Sequence, residues 1–372
     1  MCRAAVMVAS ENKTGYTYNM TRRGLMASSA NVGATMNDIA AAVGVSQATV
    51  SLVLNNRGGS RVAEATRERV LGAARDLGYR PNAAAKTLRD GKAGLIGFVG
   101  DAVVSSPFSG RIVEGAQTRA WDDDMLLLTI NTGGNPRLED AAIESLLSHR
   151  VIGIVYAAMY HRVLSVPDAL ADIPSVVLNS EDAAGRTRAV IPDEFAGGAE
   201  AAREIVTAGH ERIAMINIAP LSSQLPAAVQ RHHGFLSVLD EHGLEADPAL
   251  HIEGDGNPDA GYRGAYELMA RTDRPTAIFC GNDRTAWGAY QALQEMGLRI
   301  PEDVSIVGFD NQETLAPFLR PGLTTLELPF AEMGRRAVEL LLQGERGGAA
   351  AELVTCPLIR RGSVGPSRKE PA

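Results

Sequence analysis

Two kinds of hydrophobic pattern divide this chain. Between residues 35 and 77 the apolar positions recur every three or four residues, whereas beyond residue 95 short apolar runs alternate with amphipathic stretches. Thr35 and Asp38 have the spacing of a capping box, in which each side chain satisfies a free amide at a helix start. Ile39 and Val43 follow one turn apart on one face, and Gly44 permits the turn that stops the helix. Ser46 is placed to cap a second helix, with Val50, Val53 and Leu54 facing inward and Gln47, Ala48, Ser51 and Leu52 outward. Two short helices joined by a tight glycine turn predict a helix-turn-helix. A third helix is predicted over Ala63–Leu77, burying Val70, Ala73, Ala74 and Leu77, with Gly78 ending it. Pro81 suits a first helical turn, but the segment from Pro81 to Leu88 is too short to be a stable helix alone.

The remainder is long enough for two lobes. Strands are predicted at Leu95–Gly100, Met125–Asn131, Val151–Ala157, Ser175–Asn179, Arg212–Ile218, Ala277–Cys280, Val304–Phe309 and Leu323–Leu328. Helices fall between them, at Arg111–Trp121, Leu138–His149, Ala196–Ala208, Gln230–His242 and Thr285–Met296. Short buried strands alternating with helices give an α/β body of parallel sheets covered on both faces. Ligands bind such sheets at the carboxyl ends of the strands. Polar or turn residues stand at those ends: Asp101, Asn131, Asn179, Asp193, Asn282-Asp283 and Asp310-Asn311.

Charge separates the two parts. Residues 35–92 hold nine Lys and Arg against five Asp and Glu, a balance of +4, and residues 1–34 add +3; the formal total of −8 leaves −15 for residues 93–372. A basic head on an acidic body is the footprint of a DNA-binding module fused to something that does not bind DNA.

The sequence carries no enzyme signature of the common kinds. There is no Gly-x-Gly-x-x-Gly after a strand, no P-loop and no Gly-x-Ser-x-Gly elbow. The seven His residues form no metal-spaced set, and the side chains of the adjacent His232 and His233 diverge on a helix. Asp255-Gly-Asn-Pro-Asp259 has a calcium-loop flavour that Pro258 spoils, and it reads as a turn. The three cysteines, Cys2, Cys280 and Cys356, fit a reducing cytoplasm without structural disulfides. No apolar run reaches membrane-spanning length, and the apolar part of the first residues is too short for a secretion signal. Residues 1–34 read as a disordered extension, in which Met20 and Met26, with Met36 just beyond, offer alternative starts; residues 364–372 read as a loose tail.

The pattern Asp38-Ile39-Ala40, Gly44-Val45-Ser46, Thr49-Val50-Ser51, Leu54-Asn55, Thr66-Arg67, Leu77-Gly78-Tyr79, Pro81-Asn82-Ala83 and Leu88 resembles the headpiece of the lactose/galactose-repressor family of bacterial regulators. The resemblance continues to about residue 345 and implies a helix-turn-helix domain at 35–80, a hinge at 81–92 and a type I periplasmic-binding-protein body at 93–363. One lobe of that body would hold about 93–192 and 324–345, the other about 193–323 and 346–363. It implies DNA contacts at Thr35, Ser46, Gln47, Ala48, Thr49, Ser51, Leu52 and Asn55 in the headpiece. In the hinge it implies contacts at Asn82, Ala85, Lys86 and Leu88, with Leu88 wedging into the minor groove. Gln47 has the amide that can pair with adenine, while Ala48 and Leu52 offer only apolar contact, for example to a thymine methyl.

In the body the resemblance implies a small-molecule effector, most commonly a sugar, held by Asp101, Ser106, Phe108, Asn179, Asp193, Arg231, Asn282, Phe309 and Asp310. Asp283 would cap its helix. The family commonly has Asn after the position of Asp193, and this chain has Glu194. A homodimer without cofactor, metal or membrane partner would present two headpieces to a near-palindromic operator in double-stranded DNA. A purine corepressor is the minority behaviour of the family. The body alone also resembles a solute-binding protein, a role the headpiece argues against.

Overall fold

The computed structural model describes residues 34–54, 62–79, 94–103, 110–344, 347–348 and 350–367. The chain divides into two compact units, Met1–Asn82 and Ala83–Ala372, each described by itself. The expected extension up to residue 33 and the expected hinge at 81–92 lie outside the described residues.

In the first unit, α1 (Met36–Val43) and α2 (Gln47–Leu54) form the expected pair, followed by α3 (Glu64–Asp76). Thr35 and Asp38 make the capping box in both directions, and Gly44 closes α1 in the left-handed region at φ 71°. The Ser46 hydroxyl accepts the Thr49 amide at 3.2 Å, so Ser46 caps α2. Ile39, Val50 and Val70 are fully buried where the three helices meet. Leu77 was expected in this core and is 43% exposed. Gly78, at φ 62°, turns the chain back so that the Tyr79 amide reaches the Ala74 carbonyl, and Tyr79 packs on the core instead.

The second unit holds two six-stranded sheets. The first contains β1 (Leu95–Gly100), β2 (Leu126–Asn131), β3 (Ile154–Ala157), β5 (Ser175–Leu178), β7 (Arg188–Pro192) and β13 (Glu352–Val354), in the order β13-β7-β5-β3-β1-β2 and parallel throughout. The second contains β8 (Ile213–Ile216), β9 (His251–Ile252), β10 (Ala277–Cys280), β11 (Ser305–Asp310), β12 (Thr324–Glu327) and β14 (Leu358–Ile359), in the order β14-β12-β11-β10-β8-β9. Only β14 runs antiparallel there, against β12. A small ladder pairs β4 (Val163–Leu164) with β6 (Glu181–Asp182). Strands buried on both faces read as continuous apolar runs, which is why the sequence pattern located most of them.

Two lobe assignments need correction. Residues 324–327 were expected in the first lobe, yet β12 pairs with β11 in the register Val307↔Thr324 and buries Leu326 in the second. Residues 346–363 were expected in the second lobe; β14 does lie there, beside β12, but β13 completes the first sheet beside β7. The chain therefore crosses between lobes at Asp193, around Leu328–Pro329 and around Thr355–Pro357. The start of the expected loose tail is also fixed. The Gly365 amide donates to the Ser305 hydroxyl at 3.1 Å, and the Ser367 amide to the Ala208 carbonyl at 2.9 Å.

Helices cover the sheets in close pairs: α4 (Gly110–Trp121) with α10 (Phe330–Leu342), α6 (Glu194–Thr207) with α7 (Pro226–Glu241), and α8 (Pro258–Met269) with α9 (Asp283–Glu295); α5 (Pro136–Ser148) covers the other face of the first sheet. Each pair meets through one glycine on either helix. A Cβ on Gly115, Gly198 or Gly261 would overlap the backbone of Ala331, Arg231 or Thr285, and one on Gly334, Gly234 or Gly288 that of Ile112, Phe195 or Pro258. Helix α8 was not expected. The turn at Asp255–Asp259 runs directly into it, with Pro258 at its first position.

Candidate functional site

On the headpiece, Gln47, Ala48 and Leu52 are exposed on one face of α2, while Thr49 and Ser51 are half-buried. Thr35 and Ser46 are exposed but already committed. The Thr35 hydroxyl donates to the Asp38 carboxylate at 2.7 Å, and the Ser46 hydroxyl lies 2.9 Å from that of Thr49. These bonds fix the starts of the two helices, and Gln47, Ala48 and Leu52 form the exposed face of α2. Arg69 donates to the Val43 carbonyl at 2.5 Å and pins α3 against the end of α1. Asn55, Asn82, Ala85, Lys86 and Leu88 lie outside the described residues.

In the body, a cleft of about 680 Å³ opens at the carboxyl ends of both sheets. Asn179, Arg231, Asn282 and Asp310 line it, as expected. Asn179 follows β5 with φ 54°, and its amide donates to the carbonyls of Ala158 and Met159 at 3.1 and 3.0 Å. Asp310 ends β11 with φ 111°, a conformation costly for a residue with a Cβ and of the kind that collects at functional sites. Asn282, not Asp283, caps α9: its side chain accepts the Thr285 amide at 2.8 Å and donates to the Gly256 carbonyl at 3.0 Å. Asp283 is fully buried beneath, where it accepts the Thr325 hydroxyl at 2.6 Å and the Gln312 amide at 2.7 Å. Burial and the neighbouring Asp310 push its carboxyl well above the usual range.

Three expected ligand contacts have other work. Phe309 is fully buried in the second lobe, because the residue before an outward Asp310 on a strand points to the opposite face. Asp193 caps α6 by accepting the Ala196 amide at 2.9 Å. Asp101 accepts the Met159 amide at 2.9 Å and pairs with Arg162 at 2.8 Å, tying together the loops after β1 and β3. Ser106 and Phe108 lie outside the described residues.

The centre of the cleft is Arg231, on the buried face of α7. Its Nε donates to Glu194 Oε2 at 2.6 Å, its Nη2 to Glu194 Oε1 at 3.2 Å and its Nη1 to the Gly281 carbonyl. The guanidinium lies 3.7 Å above the Phe309 ring, and Asp310 Oδ1 is 3.7 Å from Nη1. The reciprocal glycines Gly198 and Gly234 let α6 and α7 approach closely enough for this bidentate pair. Burial alone would raise the Glu194 carboxyl, but Arg231 and His161 outweigh it and hold it below its ordinary value. Burial likewise pushes Asp310 up to about 6, against the opposing pull of Arg231.

Sequence reasoning missed His161, which lines the cleft after β3 and is 5% exposed. Its Nε2 lies 3.2 Å from Glu181, and its Nδ1 is 3.8 Å from Glu194 with no hydrogen-bond partner. The strand-end rule that flagged Asn179 also covers Met159–His161. At the mouth, Arg111 on α4 forms an ion pair with Glu313 after β11, joining the lobes. Among the described residues no cluster of metal-type side chains occurs, and no single helix is long and apolar enough to cross a membrane.

The headpiece pattern of lacI-family bacterial regulatory proteins matches residues 35–82, and that of a periplasmic binding protein-like domain matches residues 202–364. The HTH-type transcriptional repressor PurR of Erwinia tasmaniensis is 34% identical over 348 residues, covering 90% of this chain and 98% of the relative. This chain belongs to the lacI family. A putative lacI-family regulator from Rhizobium etli is 33% identical over 74% of this chain and all of its own, with a TM-score of 0.67. The lac repressor dimer bound to operator and the anti-inducer ONPF is 27% identical over 89% of this chain and 99% of its own, with a TM-score of 0.72. The chain is thus a DNA-binding transcriptional repressor of the lacI family and not an enzyme, and regulators of this type respond to small-molecule effectors and use no cofactor.

Proposed function

We propose that operator affinity is set by a small molecule bound in the interlobe cleft of a homodimer acting on chromosomal DNA in the cytoplasm. The carrying observation is the convergence of Asn179, Arg231 and Asp310, from both lobes, on one cleft at the strand ends. Gln47, Ala48 and Leu52 read base edges, with Gln47 the polar reader. The segment 81–92 couples the two functions, Leu88 being its minor-groove wedge. An effector acts only by binding one lobe arrangement better than the other, and near-complete switching takes about 5.5 kcal/mol of difference.

A sugar is the first reading, because the Asp310 carboxylate can accept from two neighbouring hydroxyls. A purine is the second, favoured by the PurR names of the relatives and by the aromatic faces of Tyr160 and Phe330 in the cleft. The test is fluorescence anisotropy on an operator selected from random DNA, with sugars and nucleobases added in turn. Release by a sugar supports induction; tighter binding with a purine supports corepression. An operator response unchanged by every compound would refute effector control.

A further inference from the structure

We infer that Glu194 makes the cleft select by charge, so that its effector is neutral and rich in hydrogen-bond donors, and acids and phosphate esters are rejected. This rests on the effector reading above and adds the chemical class. Arg231 is the cation an anionic ligand would need, and planar guanidinium forks bind carboxylate and phosphate through two parallel N–H groups. Here Nε and Nη2, one edge of that fork, hold Glu194 and one N–H of Nη1 holds the Gly281 carbonyl, so the guanidinium charge is already met by a carboxylate. Both partners are at most 4% exposed, so Glu194 cannot swing into water to make room.

The rest of the cleft agrees. Five carboxylates face three guanidinium groups among the described lining residues. Of the other two arginines, Arg111 pairs with Glu313, and the charge of Arg284 acts on Asp310. His161 points the same way. Its two ring nitrogens face the carboxylates of Glu181 and Glu194, so this corner of the cleft is already acidic. An anionic ligand placed there would add a third acidic group beside these two carboxylates.

The test uses the full chain and matched pairs: glucose with glucose 6-phosphate and glucuronate, inosine with inosine monophosphate, and inorganic phosphate alone, read by thermal shift and calorimetry. In the wild type the neutral member of a binding pair is expected to be tighter by about tenfold or more. Glu194→Gln keeps the shape, frees the guanidinium charge, and should narrow that ratio about tenfold while letting phosphate stabilise the protein. Wild-type protein that takes an anionic member as tightly as its neutral partner overturns charge selection and leaves the effector reading intact. This comparison needs no variant. Protein that binds operator and no compound in either form overturns the effector reading, and charge selection with it.

Discussion

Replacing Arg231 by methionine removes the cation from a carboxylate that cannot reach water. Glu194 is 2% exposed, and its Oε1 and Oε2 accept from Arg231 at 3.2 and 2.6 Å. Charge-assisted hydrogen bonds of this kind contribute ~1.5–3 kcal/mol each, and breaking a buried ion pair from one side costs ~3–5 kcal/mol. His161, 3.8 Å away, makes no hydrogen bond to Glu194 that would replace them. The penalty arises mostly from the stranded carboxylate, so removing it as well should restore stability. Glu194→Gln combined with Arg231→Met is expected to recover at least ~2 kcal/mol of the loss. The chain has two tryptophans, Trp121 on α4 of the first lobe and Trp287 on α9 of the second. In a Trp121→Phe background, Trp287 fluorescence during urea unfolding reports the lobe that holds the pair. Arg231→Met should lower the midpoint by ~1–2 M. A single variant costing under ~1 kcal/mol, or a double variant no more stable than Arg231→Met, would refute the claim that the pair is buried and mutually dependent.

Gln47→Ala should relax operator preference at one base position by ~1–3 kcal/mol while leaving the headpiece fold intact, as read by selection from random DNA and by circular dichroism. Gly234→Ala forces a Cβ into the Phe195 carbonyl, so it should cost ~1–3 kcal/mol and weaken effector binding by moving α7 and Arg231; unchanged melting would contradict the helix spacing. His232 is held down to about 4 by burial and then by His251 and His233. Because this lies below its ordinary 6.5, the unfolded chain takes up the proton first: the contribution is complete above pH 6.5 and is lost as pH falls toward 4, up to ~3 kcal/mol. Melting curves from pH 7.5 to 4.5 should therefore fall more steeply for wild type than for His232→Gln, and parallel curves would exclude the effect.

How far the sequence could be read depended on the range of the interaction involved. The headpiece was legible because its determinants are local: Thr35 finds Asp38 three residues away, and Gly44 and Ser46 bracket one turn. In the body, apolar runs located strands but not their sheets. Leu323–Leu328 fits either lobe by composition, and only the register Val307↔Thr324 decides. Helix α8 escaped notice because Gly261 and Gly264 weaken its helical signal, yet Gly261 is what lets it meet the backbone of α9.

The site shows the same limit at finer scale. Placing polar residues at strand ends found Asn179 and Asp310, but pleating sends the neighbour of each to the opposite face, so Phe309 became core and could not also contact ligand. A similar one-residue shift separates Asp193, a helix cap, from Glu194, in the cleft. In sequence, Glu194 was only a departure from the usual asparagine. Its meaning depends on Arg231, 37 residues later, on a helix brought close by two glycines. Once that partner is in place the substitution is a statement about ligands: a cleft that supplies its own anion to its buried arginine changes which molecules can use that arginine, even with Asn179, Asn282 and Asp310 still lining it.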